Sequence, residues 1–365
     1  MSTCTLSSVL TRQTVAEYPA SPQAADGRFQ NGSPRPAQGV AKTAKLFWDF
    51  MFNKPRGTTP PMPTAVAPLT RADLDAAPDR SLYRLGHSTL LIKLHGGFWI
   101  TDPVFAERAS PVTWAGPKRW HAPPIALDEL PPLRGVVLSH DHYDHLDRDT
   151  VVALAARTDV FLTPLGVGDR LIAWGVPRDK VRQLDWWHDI EVDGLRFTAT
   201  PAQHFSGRGL LDSDRTLWAS WVIEAPSAGR DPGLKVFFSG DTGYFEGFEA
   251  IGRRFGPFDV AAIETGAYDS RWAFVHMLPE QTVQAHLDLR ARVLLPVHNG
   301  TFDLAMHAWD DPFERVSAIA AERGVRLSTP QMGERVDLRA PQAGRAWWRE
   351  MSTAEAGTAP RAAGP

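Results

Sequence analysis

The chain of 365 residues holds one cysteine, Cys4, which excludes an intramolecular disulfide and fits a reducing compartment. No apolar run approaches the roughly 18 residues that span a bilayer. The polar start Met1-Ser2-Thr3-Cys4-Thr5 lacks the apolar core of a signal peptide or lipoprotein anchor. An excess of positive charge is also missing. Lys and Arg number 39 against 42 Asp and Glu, for a formal net charge of −3 and an isoelectric point near 6.5. That balance argues against a nucleic-acid partner, which needs a basic surface. These absences predict a cytoplasmic protein, or one peripheral at the inner membrane surface. Apolar material is plentiful: 43% of the residues are hydrophobic and 13 are tryptophan, ample for a core. A fused α/β sandwich of about 250 to 300 residues can be one domain, so the length does not demand two.

The densest signal is Ser139-His140-Asp141-His142-Tyr143-Asp144-His145, directly after the apolar run Val136-Val137-Leu138. Imidazoles with carboxylates suit a borderline cation such as Zn²⁺, and so many polar groups beside an apolar strand would be costly without one. His140 and His142 alternate by two and can point the same way from an extended segment, whereas Asp144 and His145 must point elsewhere. Two directions suggest two ions. Further donors follow other apolar runs: His204 after 195–201, Asp241 after 235–239 and His298 after 293–297. A sheet that delivers its functional groups at the carboxyl ends of its strands would produce this repetition. The set assigns His140, His142 and His204 to one metal, and Asp144, His145 and His298 to the other, with Asp241 bridging. Two Zn²⁺ per chain are expected, although iron or manganese can occupy similar His/Asp sites. Asp102, at another strand end, is read as orienting a ligand histidine through its free nitrogen or as capping a turn. His95, His121, His188, His286 and His307 have no partner at ligand spacing.

Residues 1–39, rich in Ser, Thr, Pro, Gly and Gln, and the Ala/Gly/Pro-rich residues 352–365 are predicted to be disordered. Residues 40–80 form an arm whose segment 45–56 is bulky and aromatic, with a basic end. It either docks on the domain or lies on a membrane with its aromatics inserted. The main domain is expected over 81–351. Strands are predicted at 82–85, 89–94 and 97–100, with a hairpin at His95-Gly96-Gly97. Helices are predicted over 147–156, capped by Asp149 or Thr150, over 279–289, and over 312–322 with Gly324 as the stop. Strands then helices, given twice, make an α/β fold of four αββα layers.

An ordered set of segments accompanies the metal donors: Gly86-His87-Ser88-Thr89, Thr101-Asp102-Pro103, Ala109-Ser110-Pro111, Gly116-Pro117-Lys118-Arg119 and Leu184-Asp185-Trp186-Trp187. It continues with Trp218-Ala219-Ser220-Trp221, Gly240-Asp241-Thr242-Gly243-Tyr244, Arg254-Phe255-Gly256-Pro257-Phe258-Asp259 and Gly266-Ala267-Tyr268-Asp269-Ser270-Arg271-Trp272. With these, the chain resembles the metallo-β-lactamase-fold hydrolases over about residues 41–335. Within them it is similar to the N-acylphosphatidylethanolamine-hydrolysing phospholipase D family. The resemblance implies the four-layer αββα metallo-β-lactamase sandwich and a binuclear phosphodiesterase. Its substrate would be N-acylphosphatidylethanolamine, cleaved to N-acylethanolamine and phosphatidic acid by a hydroxide shared between the metals. It implies Asp144 and His276 as catalytic residues, His276 hydrogen-bonding the phosphate at the rim, and Arg208 and Arg271 as further phosphate candidates. His87 is read as supporting a ligand. The implied partners are a phospholipid, a membrane surface touched peripherally, and a second copy of the chain as a homodimer.

Departures from the family occur beside the metals. Its His-Trp-Gly is His298-Asn299-Gly300 here, its Trp after the middle ligand is Phe205, and Ser206-Gly207-Arg208 follows. Two rival readings stand beside the phosphodiesterase. One is a lactonase or sugar-phosphate lactone hydrolase of the same fold, whose metals would polarise a carbonyl. The other is a non-catalytic metal-binding scaffold or sensor, against which a complete set of seven ligands argues.

Overall fold

The computed structural model describes residues 21–36, 39–209, 211–227 and 232–351, so the expected disorder of 1–20 and 352–365 lies outside the described residues. The described chain opens with a short pair, β1 (Ala24–Ala25) and β2 (Arg28–Phe29), then helices α1 (Val40–Phe52) and α2 (Arg71–Ala76). Strands β3 (Ser81–Gly86), β4 (Thr89–Leu94) and β5 (Gly97–Thr101) form a meander, its second turn carried by His95 and Gly96 at positive φ. The chain continues through β6 (Leu133–Val137), α3 (Arg148–Leu154), β7 (Thr158–Pro164), α4 (Val167–Ala173) and β8 (Val181–Leu184), with β5 to β8 parallel.

A second sheet begins with the antiparallel strands β9 (Asp189–Val192), β10 (Leu195–Thr200), β11 (Ser220–Ala225) and β12 (Leu234–Phe238). Helix α5 (Gly247–Phe255) leads to β13 (Val260–Glu264), and α6 (Pro279–Asp288) leads to β14 (Val293–Val297), both strands parallel to β12. Helix α7 (Asp311–Glu322) follows. The last strand, β15 (Arg335–Asp337), returns to the first sheet. The strand orders are β15-β3-β4-β5-β6-β7-β8 and β14-β13-β12-β11-β10-β9.

Side-chain alternation explains why these sheets stack. In β4, Leu90, Ile92 and Leu94 join the core between the sheets, whereas Leu91 packs outward with Val151 and Leu154 of α3 and Leu171 of α4. In β12, Val236 and Phe238 point inward and Phe237 packs outward with Phe248 and Ile251 of α5, Val283 of α6 and Val316 of α7. Both faces of both sheets are covered, so the strands read as continuous apolar runs. The result is the α/β sandwich of four αββα layers. The parallel strand ends and the ends of β10 and β12 open at one edge, where the histidines and aspartates lie.

Two expectations need correction. Residues 21–36 are not disordered: Phe29 is buried in the core between the sheets, and the segment around it makes several hydrogen bonds. The cap of α3 is Asp147, whose side chain accepts from Asp149 N, instead of Asp149 or Thr150. A residue before the helix can receive the free N–H groups of its first turn, which a residue inside it does less well. Of the two placements expected for the arm at 40–80, docking on the domain is seen: besides helices α1 and α2 it has Lys54 ion-paired to Asp303 at 2.7 Å, and Trp309 N donates to Gly57 O. Among the described residues no helix is long and apolar enough to cross a membrane.

One buried contact ties the two sheets together at the site edge. Trp221 on β11 donates its indole N–H to Leu138 O, 2.9 Å away, one residue before Ser139. Replacing this fully buried ring opens a cavity and frees that carbonyl. Trp221→Ala is therefore expected to lower unfolding stability by about 3–5 kcal/mol, measured by denaturant titration; a loss under about 1 kcal/mol would show that the ring does not bear on the core.

Candidate metal centre

Donor atoms around one ion sit about 2.0–2.1 Å from it, so in a tetrahedral site they lie roughly 3.4 Å from one another. The predicted residues meet that spacing in two groups. In the first, His142 Nδ1 lies 2.9 Å from His140 Nε2 and 3.2 Å from His204 Nε2, while Asp241 Oδ2 lies 3.8 and 3.7 Å from the same two Nε2 atoms. In the second, Asp144 Oδ2 lies 3.4 Å from His145 Nε2 and 3.2 Å from His298 Nε2. Asp241 reaches this group as well, with Oδ1 3.1 Å from His145 Nε2 and Oδ2 3.1 Å from His298 Nε2. One carboxylate therefore faces both sets.

Local backbone makes the convergence. Gly240 adopts φ 56°, and a Cβ there would stand 2.4 Å from Cβ of Ser139, so only glycine lets the β12 end approach the histidine motif. His298 itself sits at φ 64°, with Gly300 at φ 70°. This turn is clamped from below: Arg84 Nη2, fully buried, donates at 2.5 Å to both the carbonyl and Oδ1 of Asn299. Asn299 Nδ2 in turn donates to Thr265 O and Val297 O.

Some of the unused ring nitrogens find partners too, although His298 Nδ1 has none of good geometry. Asp102 Oδ2 accepts from His145 Nδ1 at 2.6 Å and from Ser139 Oγ at 2.5 Å, and Oδ1 accepts from Ser139 N. His204 Nδ1 donates to Val275 O at 3.0 Å. Such partners fix the tautomer and aim the other nitrogen at the ion. His87 is buried with Nδ1 unpartnered and Nε2 3.0 Å from Asp144 Oδ2. A neutral ring carries one proton; placed on Nε2 it donates to Asp144, whereas on Nδ1 it would meet nothing. His87 thus reads as a prop for Asp144.

The remaining candidates separate. His276 lies at the edge of the group, its ring 5.2 Å from those of His204 and His298, with Nδ1 3.2 Å from Glu264 Oε2. Glu264 is fully buried and also accepts from Met277 N. Sequence reading missed it, because a glutamate ending an apolar strand gives no signal without its spatial neighbours. Arg208 does not point free into the cleft. Its Nη1 donates to Asp141 O and Leu146 O, and its guanidinium stacks 3.8 Å over Tyr143. Arg271 is bound to Asp269 and to Asp49 of α1. Both guanidinium groups are engaged by the protein's own acceptors in this arrangement. Asp141, the second aspartate of the motif, pairs with Arg170 at 2.8 Å and holds Gly207 N.

Electrostatics agree with a cation between these groups. Burial pushes the Asp144 and Asp241 carboxyls up, but the charge of His145 and contacts to His298 outweigh it and hold both well below the usual range. For His298, burial opposes protonation, and Asp241 with the bonds to Asp144 overcomes it, raising the pKa to about 10. His145 is raised for the same reasons, whereas burial keeps His140 and His204 neutral. Without metal, protons on His145 and His298 supply the positive charge that two buried carboxylates require. His145 Nε2 and Asp241 Oδ1, both buried, lack any hydrogen-bond partner of good geometry. A divalent ion would engage them, so these His/Asp clusters are able to bind metal.

Comparison with known proteins agrees. Residues 99–299, more than half of the chain, match the family described as the beta-lactamase superfamily domain. Uncharacterized protein Rv0906 of Mycobacterium tuberculosis is 41% identical over 90% of this chain and 88% of its own length. N-acyl-phosphatidylethanolamine-hydrolyzing phospholipase D 1 of Caenorhabditis elegans is 39% identical over 60% of this chain and 64% of its own length. Among solved structures, an isothiocyanate hydrolase from Delia radicum gut bacteria shares the fold at a TM-score of 0.55 with 20% identity, covering 70% of this chain and 98% of that one.

Two measurements test the centre. Removing the carboxylate that aims His145, by Asp102→Ala, should weaken zinc binding by about 10- to 100-fold in chelator competition; unchanged affinity would deny Asp102 that role. The raised His298 favours the metal-free fold below its ordinary pKa near 6.5, and that contribution is lost as pH rises through about 10. Metal needs the ring neutral. Adding zinc to metal-free protein at pH 7–8 should therefore release protons to an indicator dye, and uptake without release would contradict the charge assignment.

Proposed function

The chain belongs to the β-lactamase superfamily as a metal-dependent hydrolase, and from that premise we propose a two-metal phosphodiesterase of phospholipase D type. Its substrate is N-acylphosphatidylethanolamine, hydrolysed to N-acylethanolamine and phosphatidic acid. The observation that carries the reading is the Asp241 carboxylate, within 3.1–3.8 Å of donors from both clusters. Two ions sharing it, zinc being the best match to the donors, would supply hydroxide at neutral pH and polarise the phosphoryl oxygens. In the net reaction water adds its oxygen to phosphorus, the bond from phosphorus to the ethanolamide oxygen breaks, and that oxygen takes a proton.

The chain's own residues serve that chemistry in distinct ways. Asp144 and Asp241 neutralise positive charge inside the protein. His276 Nδ1 donates to the carboxylate of buried Glu264, which orients the ring; in the imidazolium form its Nε2–H would be left to hydrogen-bond the phosphate or protonate the leaving oxygen. The named activity of the nematode relative favours a phosphodiester over a lactone.

A lipid is favoured by α1. Trp48 and Phe52 lie tilted against each other with ring centres 4.5 Å apart while remaining 59% and 64% exposed. Asp49, between them, pairs with Arg271 in the loop that leads to His276. Exposed aromatics beside the rim suit an enzyme that draws its substrate from a bilayer surface. A soluble lactone would give them no purpose.

The test is metal quantification on purified protein alongside turnover of N-acylphosphatidylethanolamine, a generic phosphodiester and a lactone panel. Two metals per chain with N-acylphosphatidylethanolamine cleavage are expected; two metals with lactone turnover alone would overturn the substrate. Asp241→Asn should lower binding of both ions together, and loss of only one would refute the shared carboxylate.

A further inference from the structure

Resting on the two-metal reading, we infer that residues 21–36 are a strap built into the metal centre, with Asn31 as the positioning residue that fixes His204. His204 needs such help because it stands four residues beyond Thr200, the last residue of β10, in irregular backbone. A ligand on a loop is only as well placed as the contacts that hold the loop.

Asn31 grips His204 by both backbone groups. Its Nδ2 donates to His204 O at 2.8 Å and its Oδ1 accepts from His204 N at 2.9 Å. Among the described residues neither group of His204 has another partner. The same Oδ1 accepts from the indole N–H of Trp218 at 3.1 Å. One amide thus fixes the backbone while Val275 O fixes the ring through Nδ1. Together they aim Nε2 at His142 and Asp241.

The strap has its own anchors on either side of Asn31. Upstream, Phe29 is buried in the core between the sheets, its N–H donates to Asp214 O, and Arg28 donates to Ser213 O. Downstream, Arg35 pairs with Asp214 at 3.3 Å and lies 4.9 Å over the ring of Phe205. Phe205 packs edge-on against His142 and lies beside His204, with ring centres 4.5 and 4.7 Å away. The strap therefore supports two histidines of one cluster, one through hydrogen bonds and one through Phe205. It belongs to the His140 cluster; among the described residues it makes no hydrogen bond, ion pair or ring contact with Asp144, His145 or His298.

The experiment uses the full chain carrying Asn31→Ala, with Asn31→Asp as a milder variant that keeps the acceptor oxygen and loses the donor. Zinc affinity is read by chelator competition, and ligand geometry by the ligand-field absorption of cobalt-saturated, folded protein. Phe29→Leu serves as the control, since it loosens the strap's core anchor without altering the amide. The expected result is that Asn31→Ala binds one of two ions about 10- to 100-fold more weakly and shifts the cobalt spectrum. Asn31→Asp should fall between, and Phe29→Leu should lower the melting temperature while leaving the spectrum as in the wild type. Wild-type affinity and spectrum in Asn31→Ala would overturn the inference, as would a spectral change of equal size in Phe29→Leu. A wild-type protein that holds two ions but cleaves no phosphodiester sinks the substrate reading alone; one that takes up no ion sinks both.

Discussion

Two carboxylates, one buried and one mostly shielded from water, govern this molecule. Asp144 and Asp241 are enclosed by imidazoles at the edge of the sandwich, and a buried carboxylate without compensating positive charge costs several kcal/mol. The compensation has to come from protons on His145 and His298 or from cations. Either way the donors must converge within a few ångströms, and no single segment of chain can do that. Strand ends β6, β12 and β14 and the segment after β10 each deliver part of the set. The four-layer architecture is the means by which distant segments are brought to one edge.

Convergence alone does not fix geometry. Four of the seven donors are held from behind by groups of different origin: His145 by Asp102 at the end of β5, His204 by Asn31 and Val275, His298 by the turn that Arg84 clamps, and Asp144 by His87. The whole motif is joined to the opposite sheet through Trp221 and Leu138. Packing between the sheets and placement of the metal donors are consequently one energetic problem. A slip of the sheets would move His140 and Asp241 in different directions.

The donors were legible in the sequence because the signal is local: polar ligand types in a tight run, or directly after an apolar strand. The αββα layering was legible for the same reason, from apolar runs and helix signals of ordinary length. What stood outside that reading depends on contacts across long stretches of chain. Asn31 meets His204 from 173 positions away, and its Pro/Gly/Ser-rich surroundings carry no period that would announce order. Composition suggests disorder only when no partner is in view. The internal partners of Arg208 and Arg271 were hidden by the same logic, since sequence shows a cation but not the carbonyls and carboxylates that engage it.

The positions where this chain departs from the phospholipase D pattern fall among these supports and spare the donors. Asn299 replaces the family's Trp behind His298, and the polar side chain put there is matched by the buried guanidinium of Arg84. Phe205 replaces a Trp beside His204, and the smaller ring is covered by Arg35 from the N-terminal strap. An isolated change of either kind would leave a buried polar group unpaired or a gap beside a ligand. Occurring with their partners, both keep the donor atoms at ligand spacing. The chemistry therefore depends on the donors and on the direction of their free nitrogens. At these two positions the residue behind the donor has its complement in this chain, a buried guanidinium for Asn299 and a covering one for Phe205.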